Sequence, residues 1–243
     1  MGSPDSSTDL PRRVDRLGIS RRPGERWDVF AQRVANAYGV VLLLVVATYV
    51  LGSLVSLRGW GGVAVSAVAG ACATMALVSA EAPHRTVRFA AGFALAAVAL
   101  AAVAAVASTG RTAAVSALIL VGLLGLAAAK VLGTVVSAAE VGFRTILGAI
   151  SVYVILGLLF TFVYAGVDRL QSGQFFGTPT HTGDFLFFSI TTLTTTGYGN
   201  LVPAAQPGKM LSGLEMLIGQ IFLVTLIAGL VSLWRPGLGG RRP

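Results

Sequence analysis

Six long apolar runs constrain this chain most, at residues 37–57, 61–80, 87–108, 112–138, 145–167 and 210–234. Each has at least 20 residues. At about 1.5 Å of rise per residue, each is a helix long enough to cross a hydrocarbon core of roughly 30 Å. The second run, G-G-V-A-V-S-A-V-A-G-A-C-A in its first part, is the least hydrophobic. Small residues permit close helix packing, so a span is still the better reading. Composition points the same way: 55% of the 243 residues are hydrophobic and only 12% are charged, against about 25% charged in a soluble domain. So few charges cannot coat a water-facing surface. A soluble globular fold is excluded, and so is disorder over most of the chain.

The formal net charge is +8. In a soluble protein that would point to nucleic acid. Here the basic residues sit in tails and loops, where they report membrane orientation and not a nucleic-acid partner. Thirteen of the 18 basic residues fall on one side of the six runs: seven arginines before the first, Arg85, Arg88 and Arg144 in the second and fourth connections, and Arg235, Arg241 and Arg242 after the last. Arg58, Arg111, Arg169 and Lys209 fall on the other side, and Lys130 lies inside the fourth run. Charge and parity together put both termini in the cytoplasm of a multi-pass cell-membrane protein. Within the N-terminal tail, residues 25–38 are amphipathic at helical spacing, with Trp27, Phe30, Ala31, Val34 and Tyr38 on one face. They read equally as an interfacial helix or as an extension of the first span.

Chemistry-bearing residues are sparse. The single cysteine, Cys72, lies in an apolar run, and the two histidines, His84 and His181, are far apart. Neither a disulfide nor a zinc centre follows. There are no paired carboxylates, no Ser-His-Asp set and no metal-ligand cluster at plausible spacing, so an enzyme is not expected.

Between the fifth and sixth runs lies D-F-L-F-F-S-I-T-T-L-T-T-T-G-Y-G-N-L-V-P, from Asp184 to Pro203. Its apolar part, Asp184 to Leu193, is too short to cross, and its length suits a segment that enters and returns. Thr195-Thr196-Gly197-Tyr198-Gly199 resembles the selectivity filter of the tetrameric P-loop potassium channels, usually T-V-G-Y-G, with Thr196 in the valine position. The resemblance covers roughly residues 145–234 and is closest to prokaryotic six-span members without voltage-sensor arginines. It implies an all-α membrane protein of six transmembrane helices, with a re-entrant pore helix and filter loop between the fifth and sixth. The expected domains are a cytoplasmic tail (1–36), a four-helix membrane domain (37–140), a pore domain (141–234) and a short cytoplasmic tail (235–243).

The resemblance implies a homotetramer, since one chain carries one filter strand. It also implies potassium as the permeant ion, with the carbonyls of Thr195, Thr196, Gly197 and Tyr198 and the Thr195 hydroxyl as ligands. Carbonyls aimed at one axis need alternating backbone handedness, which Gly197 and Gly199 tolerate. Tyr198 is expected to brace against Phe187 and Phe188, with Thr194, Thr191 and Asn200 as further support. Thr182 or Asp184 is expected to cap the pore helix.

In the last run, Glu215 reads either as filter support or as a buried structural hydrogen-bonding group. Gly219 and Gly229 read either as gating hinges or as small residues for tight packing. The fourth run holds no arginine, so little voltage dependence is expected. The few residues after Trp234 leave no expectation of a soluble regulatory domain, and membrane lipids are the other expected partner. No cofactor is implied. The competing functions are a poorly selective cation channel, a potassium transporter subunit and a non-conducting scaffold.

Overall fold

The computed structural model describes residues 23–55, 59–107, 110–138 and 142–233, with side chains from residue 38 onward apart from 143, 144, 182 and 230–233. The expectations for 1–22 and 235–243 and for Arg58 lie outside the described residues, as do the side chains on the amphipathic face before Tyr38 and that of Thr182.

The described residues form seven helices: α1 (Pro23–Leu54), α2 (Trp60–Ser79), α3 (His84–Ala107), α4 (Gly110–Val136), α5 (Phe143–Leu170), α6 (Thr182–Leu193) and α7 (Gln206–Leu233). Five of these contain segments long and apolar enough to cross a membrane: Trp60–Ser79, His84–Ala107, Gly110–Val136, Thr145–Leu170 and Gln206–Gly229. The apolar part of α1, Tyr38–Leu54, is shorter. α1 runs without a break through the amphipathic segment into this apolar part. Several hydroxyl residues are accommodated in these helices by bonding a carbonyl one turn back: Thr48 to Leu44 at 2.7 Å, Ser151 to Leu147 at 2.8 Å, Thr161 to Gly157 at 2.8 Å. In an apolar surrounding that satisfies the hydroxyl without water.

The chain runs up and down. Gly59, Gly110, Asp168 and Arg169 line one cavity of about 480 Å³, which gathers the α1–α2 connection, the start of α4 and the end of α5 at one end of the bundle. Near the other end, Gly148 of α5 lies against Val135 of α4 and Tyr38 of α1. The small residues of α2 let it sit deep among its neighbours: a Cβ on Gly70 would come within 3.0 Å of Ala94 on α3. Ser116 of α4 donates to the Ala97 carbonyl of α3 at 2.8 Å.

One apolar core joins the first four helices to the chain's own α5. Val41 and Val45 of α1, Leu120, Leu124 and Val131 of α4, and Val152, Ile155, Leu158 and Phe162 of α5 are all buried in it. Large apolar side chains remain outward on α3 (Phe89, Phe93, Leu95) and α7 (Leu217, Ile221, Val224). Water would penalise such faces, whereas a lipid or protein partner would cover them.

Candidate functional site

α6 starts beside α1, where a Cβ on Gly183 would lie 3.5 Å from Ser53. The Asp184 carboxylate accepts the His181 backbone N–H at 2.7 Å, satisfying a donor at the helix N-terminus. Twelve residues later the helix stops at Leu193. The Leu193 carbonyl accepts the Tyr153 hydroxyl at 3.1 Å and faces Gly219 of α7 so closely that a Cβ there would fall 2.3 Å from the oxygen. Only glycine fits. Gly219 is thus accounted for by close packing. A Cβ built on Gly229 would meet nothing within 4 Å among the described residues.

The segment after Leu193 is held by its amides. Thr195 N–H bonds the Thr192 carbonyl at 3.0 Å, and the N–H groups of Thr196 and Gly197 both bond the Thr191 carbonyl, at 2.9 and 3.1 Å. A trans peptide sets the N–H of one residue opposite the C=O before it. Amides tied back to α6 therefore turn the carbonyls of Thr194, Thr195 and Thr196 away from it. The backbone then alternates: φ is +55° at Thr195, +54° at Gly197 and +79° at Gly199. The glycines take this cheaply, but for the β-branched Thr195 it is a strained conformation. The sequence pattern predicts the two glycines and misses Thr195. Residues 194–200 are all exposed in the single chain. The strand then returns to the end where α6 began: Ala204 N–H bonds the Phe175 carbonyl at 2.8 Å, and Gly208 of α7 fits beneath Pro203 and Phe175.

Side chains behind this strand divide into two groups. Phe187 stacks on Tyr198, ring centroids 5.6 Å apart and 27° between planes. Phe188 does not join it. It turns instead into a cluster with Tyr164, Phe175, Phe176 and Phe185, at 5.1 Å from both Tyr164 and Phe176. Adjacent helix residues are about 100° apart, so both rings cannot face one strand. Thr191 is buried, with its hydroxyl on the Phe188 carbonyl at 3.0 Å. Thr194 bonds the Ile190 carbonyl at 2.7 Å and meets the Thr196 hydroxyl at 2.8 Å. Asn200 is exposed.

Glu215 is fully buried. Its two carboxyl oxygens each meet one hydroxyl at 2.5 Å, Tyr164 from α5 and Ser189 from α6. Neither partner is evident from the sequence, nor is the role of Tyr153; the one signal was the aromatic density between Phe175 and Phe188. Among the described residues, no group of three or more His, Cys, Asp or Glu side chains is placed to hold a metal ion.

The likeness to known proteins falls on this same part of the chain. Residues 148–235 match a family described as ion channel. Over 81 residues the chain is 37% identical to two pore potassium channel c of Oryza sativa subsp. japonica, an alignment covering 33% of this chain and 17% of that protein. The chain therefore matches only about a sixth of that relative's length. No solved structure matches. The likeness is to a channel and not to an enzyme, and with the five apolar helices it makes this a membrane protein.

Proposed function

We propose that the chain is a potassium-selective channel that conducts passively through a homotetrameric pore. In this reading α1 to α5 and α7 are six spans, with both termini in the cytoplasm of a cell-membrane protein. α6 is a re-entrant pore helix, and Thr195, Thr196, Gly197, Tyr198 and Gly199 form one quarter of the filter. The observation that carries the reading is the alternation of positive φ at Thr195, Gly197 and Gly199, on a strand whose amides are tied back to α6. Carbonyls presented in this way can replace the hydration shell of a potassium ion at little reorganisation cost. A single strand surrounds nothing, so four copies must share an axis. The exposed apolar face of α7 and the exposure of residues 194–200 support such an assembly.

The named relative is a potassium channel, which favours potassium over other cations. Membrane lipid is the remaining partner, and the reading needs no cofactor beyond the permeant ion. Phe187, Phe188, Thr191, Thr194 and Asn200 are proposed as filter support. A second reading, a poorly selective cation channel, is favoured only by Thr196 in the position where the family usually carries valine.

Flux from liposomes holding the purified protein tests both readings. Potassium efflux with little sodium efflux, lost in Gly197→Ala, is the expected result. Equal potassium and sodium permeability points to the second reading. Equal flux from the wild type and the Gly197 variant refutes both.

A further inference from the structure

We propose that Glu215 is the positioning residue of the pore module: it ties α6 to α5 and α7 at one point, and the selectivity of the filter depends on that tie. The inference rests on the conduction reading above. Three helices meet at the Glu215 carboxyl group, with Tyr164 from α5 on Oε2 and Ser189 from α6 on Oε1, each at 2.5 Å. Ser189 Oγ also lies 2.7 Å from the Gly157 carbonyl of α5; its single proton serves that carbonyl when the Glu215 carboxyl group donates to Ser189, and serves Glu215 otherwise. The carboxyl group is fully buried, so no solvent competes for these bonds.

Ser189 occupies the critical place on α6. Two residues before it, Phe187 stacks on Tyr198. Two residues after it, Thr191 offers the carbonyl that holds the Thr196 and Gly197 amides. A shift of α6 along its axis moves the ring brace and the amide anchor together. Apolar packing of a 12-residue helix is non-directional and does not by itself forbid such a slide. Two directional bonds at a buried point do. A leucine at 215 would fill much of the same volume without the cost of burying a carboxyl group. What the carboxyl group adds is attachment to two helices at once.

The test uses the full chain, reconstituted, with the potassium-to-sodium permeability ratio read from reversal potentials and the tetramer fraction read by size-exclusion chromatography. Ser189→Ala and Tyr164→Phe each delete one donor with little change in volume. Each is expected to lower the ratio by about tenfold, the scale set by leaving one buried partner unsatisfied, while tetramers persist. Glu215→Leu lowers it at least as far, and adding Ser189→Ala to it brings less than the sum of the two separate losses, because the two share one contact while Ser189 keeps another on Gly157. Glu215→Gln keeps the ratio within about twofold, since an amide can accept from Tyr164 and donate to Ser189.

Tetrameric Ser189→Ala and Tyr164→Phe proteins with wild-type selectivity overturn the inference, as does a Gln variant as poor as the Leu variant. If Glu215→Leu fails to assemble, the two single-donor variants decide. A wild type that passes no potassium overturns the conduction reading and this inference with it. A selective wild type with unaffected variants overturns the inference alone.

Discussion

Gly219→Ala separates the two readings of the glycines in α7. The added Cβ would sit 2.3 Å from the Leu193 oxygen, 2.9 Å from Leu193 Cδ1 and 3.1 Å from the Leu193 carbonyl carbon. An ordinary carbon–oxygen contact is about 3.3 Å or more, so α7 and the end of α6 must part by about 1 Å. Forcing a methyl into a packed contact costs about 1–3 kcal/mol. The same oxygen accepts the Tyr153 hydroxyl at 3.1 Å, and losing that bond adds about 1 kcal/mol. Alanine's better helix propensity returns about 1 kcal/mol. The net expectation is a loss of about 1–3 kcal/mol per chain, which for a domain of this size lowers Tm by about 2–12 °C.

Gly229→Ala is the matched control. The added Cβ meets nothing within 4 Å among the described residues, and the change gains up to about 1 kcal/mol from propensity alone. The two substitutions thus carry opposite signs from one chemical change. Thermal unfolding of the purified protein and potassium flux from liposomes read both. A Gly219→Ala protein as stable and as conductive as the wild type refutes the packing argument. A Gly229→Ala protein that is stable but conducts poorly shows that Gly229 acts as a hinge.

Other expectations follow from the same geometry. Phe187→Ala removes a ring stacked at 5.6 Å on Tyr198, a contact of about 0.5–1.5 kcal/mol; it should lower the potassium-to-sodium permeability ratio severalfold, and an unchanged ratio would show that the stack does not brace the filter. Gly208→Ala places a Cβ 2.7 Å from Pro203 and 2.9 Å from Phe175, so it should destabilise the chain by about 1–3 kcal/mol, measured by denaturant titration, where a neutral result counts against tight packing under the returning strand. In α4 the basic residues are Arg111, at its start, and Lys130. With each charge gaining only about 2.3 kcal/mol per 100 mV when it crosses the whole field, bilayer recordings should show conductance changing less than about twofold over 100 mV. A steep conductance–voltage curve would contradict this.

What the sequence makes legible, and what it hides, divides along a physical line. Runs of 20 apolar residues have few options in lipid, because each must satisfy its own backbone, and α2 to α5 and α7 follow from them. Gly197 and Gly199 are legible because a positive φ selects glycine locally. Thr195 is not, since nothing in a threonine favours φ of +55°; that conformation accompanies two later amides converging on the Thr191 carbonyl. Nor can adjacent phenylalanines declare which of them faces the strand. The partners of Glu215 lie 51 and 26 residues away, a distance that only packing closes.

The same division bears on assembly. Within one chain the segment from Thr194 to Asn200 pays for an unusual backbone, turns the carbonyls of Thr194, Thr195 and Thr196 away from α6 and leaves every residue exposed. A strained and exposed strand stabilises nothing by itself, and natural sequences seldom keep such a conflict between local and global structure without a use for it. In the proposed assembly, further copies of the chain around a shared ion would remove the conflict. The strain at Thr195 is therefore itself an argument for the proposed assembly.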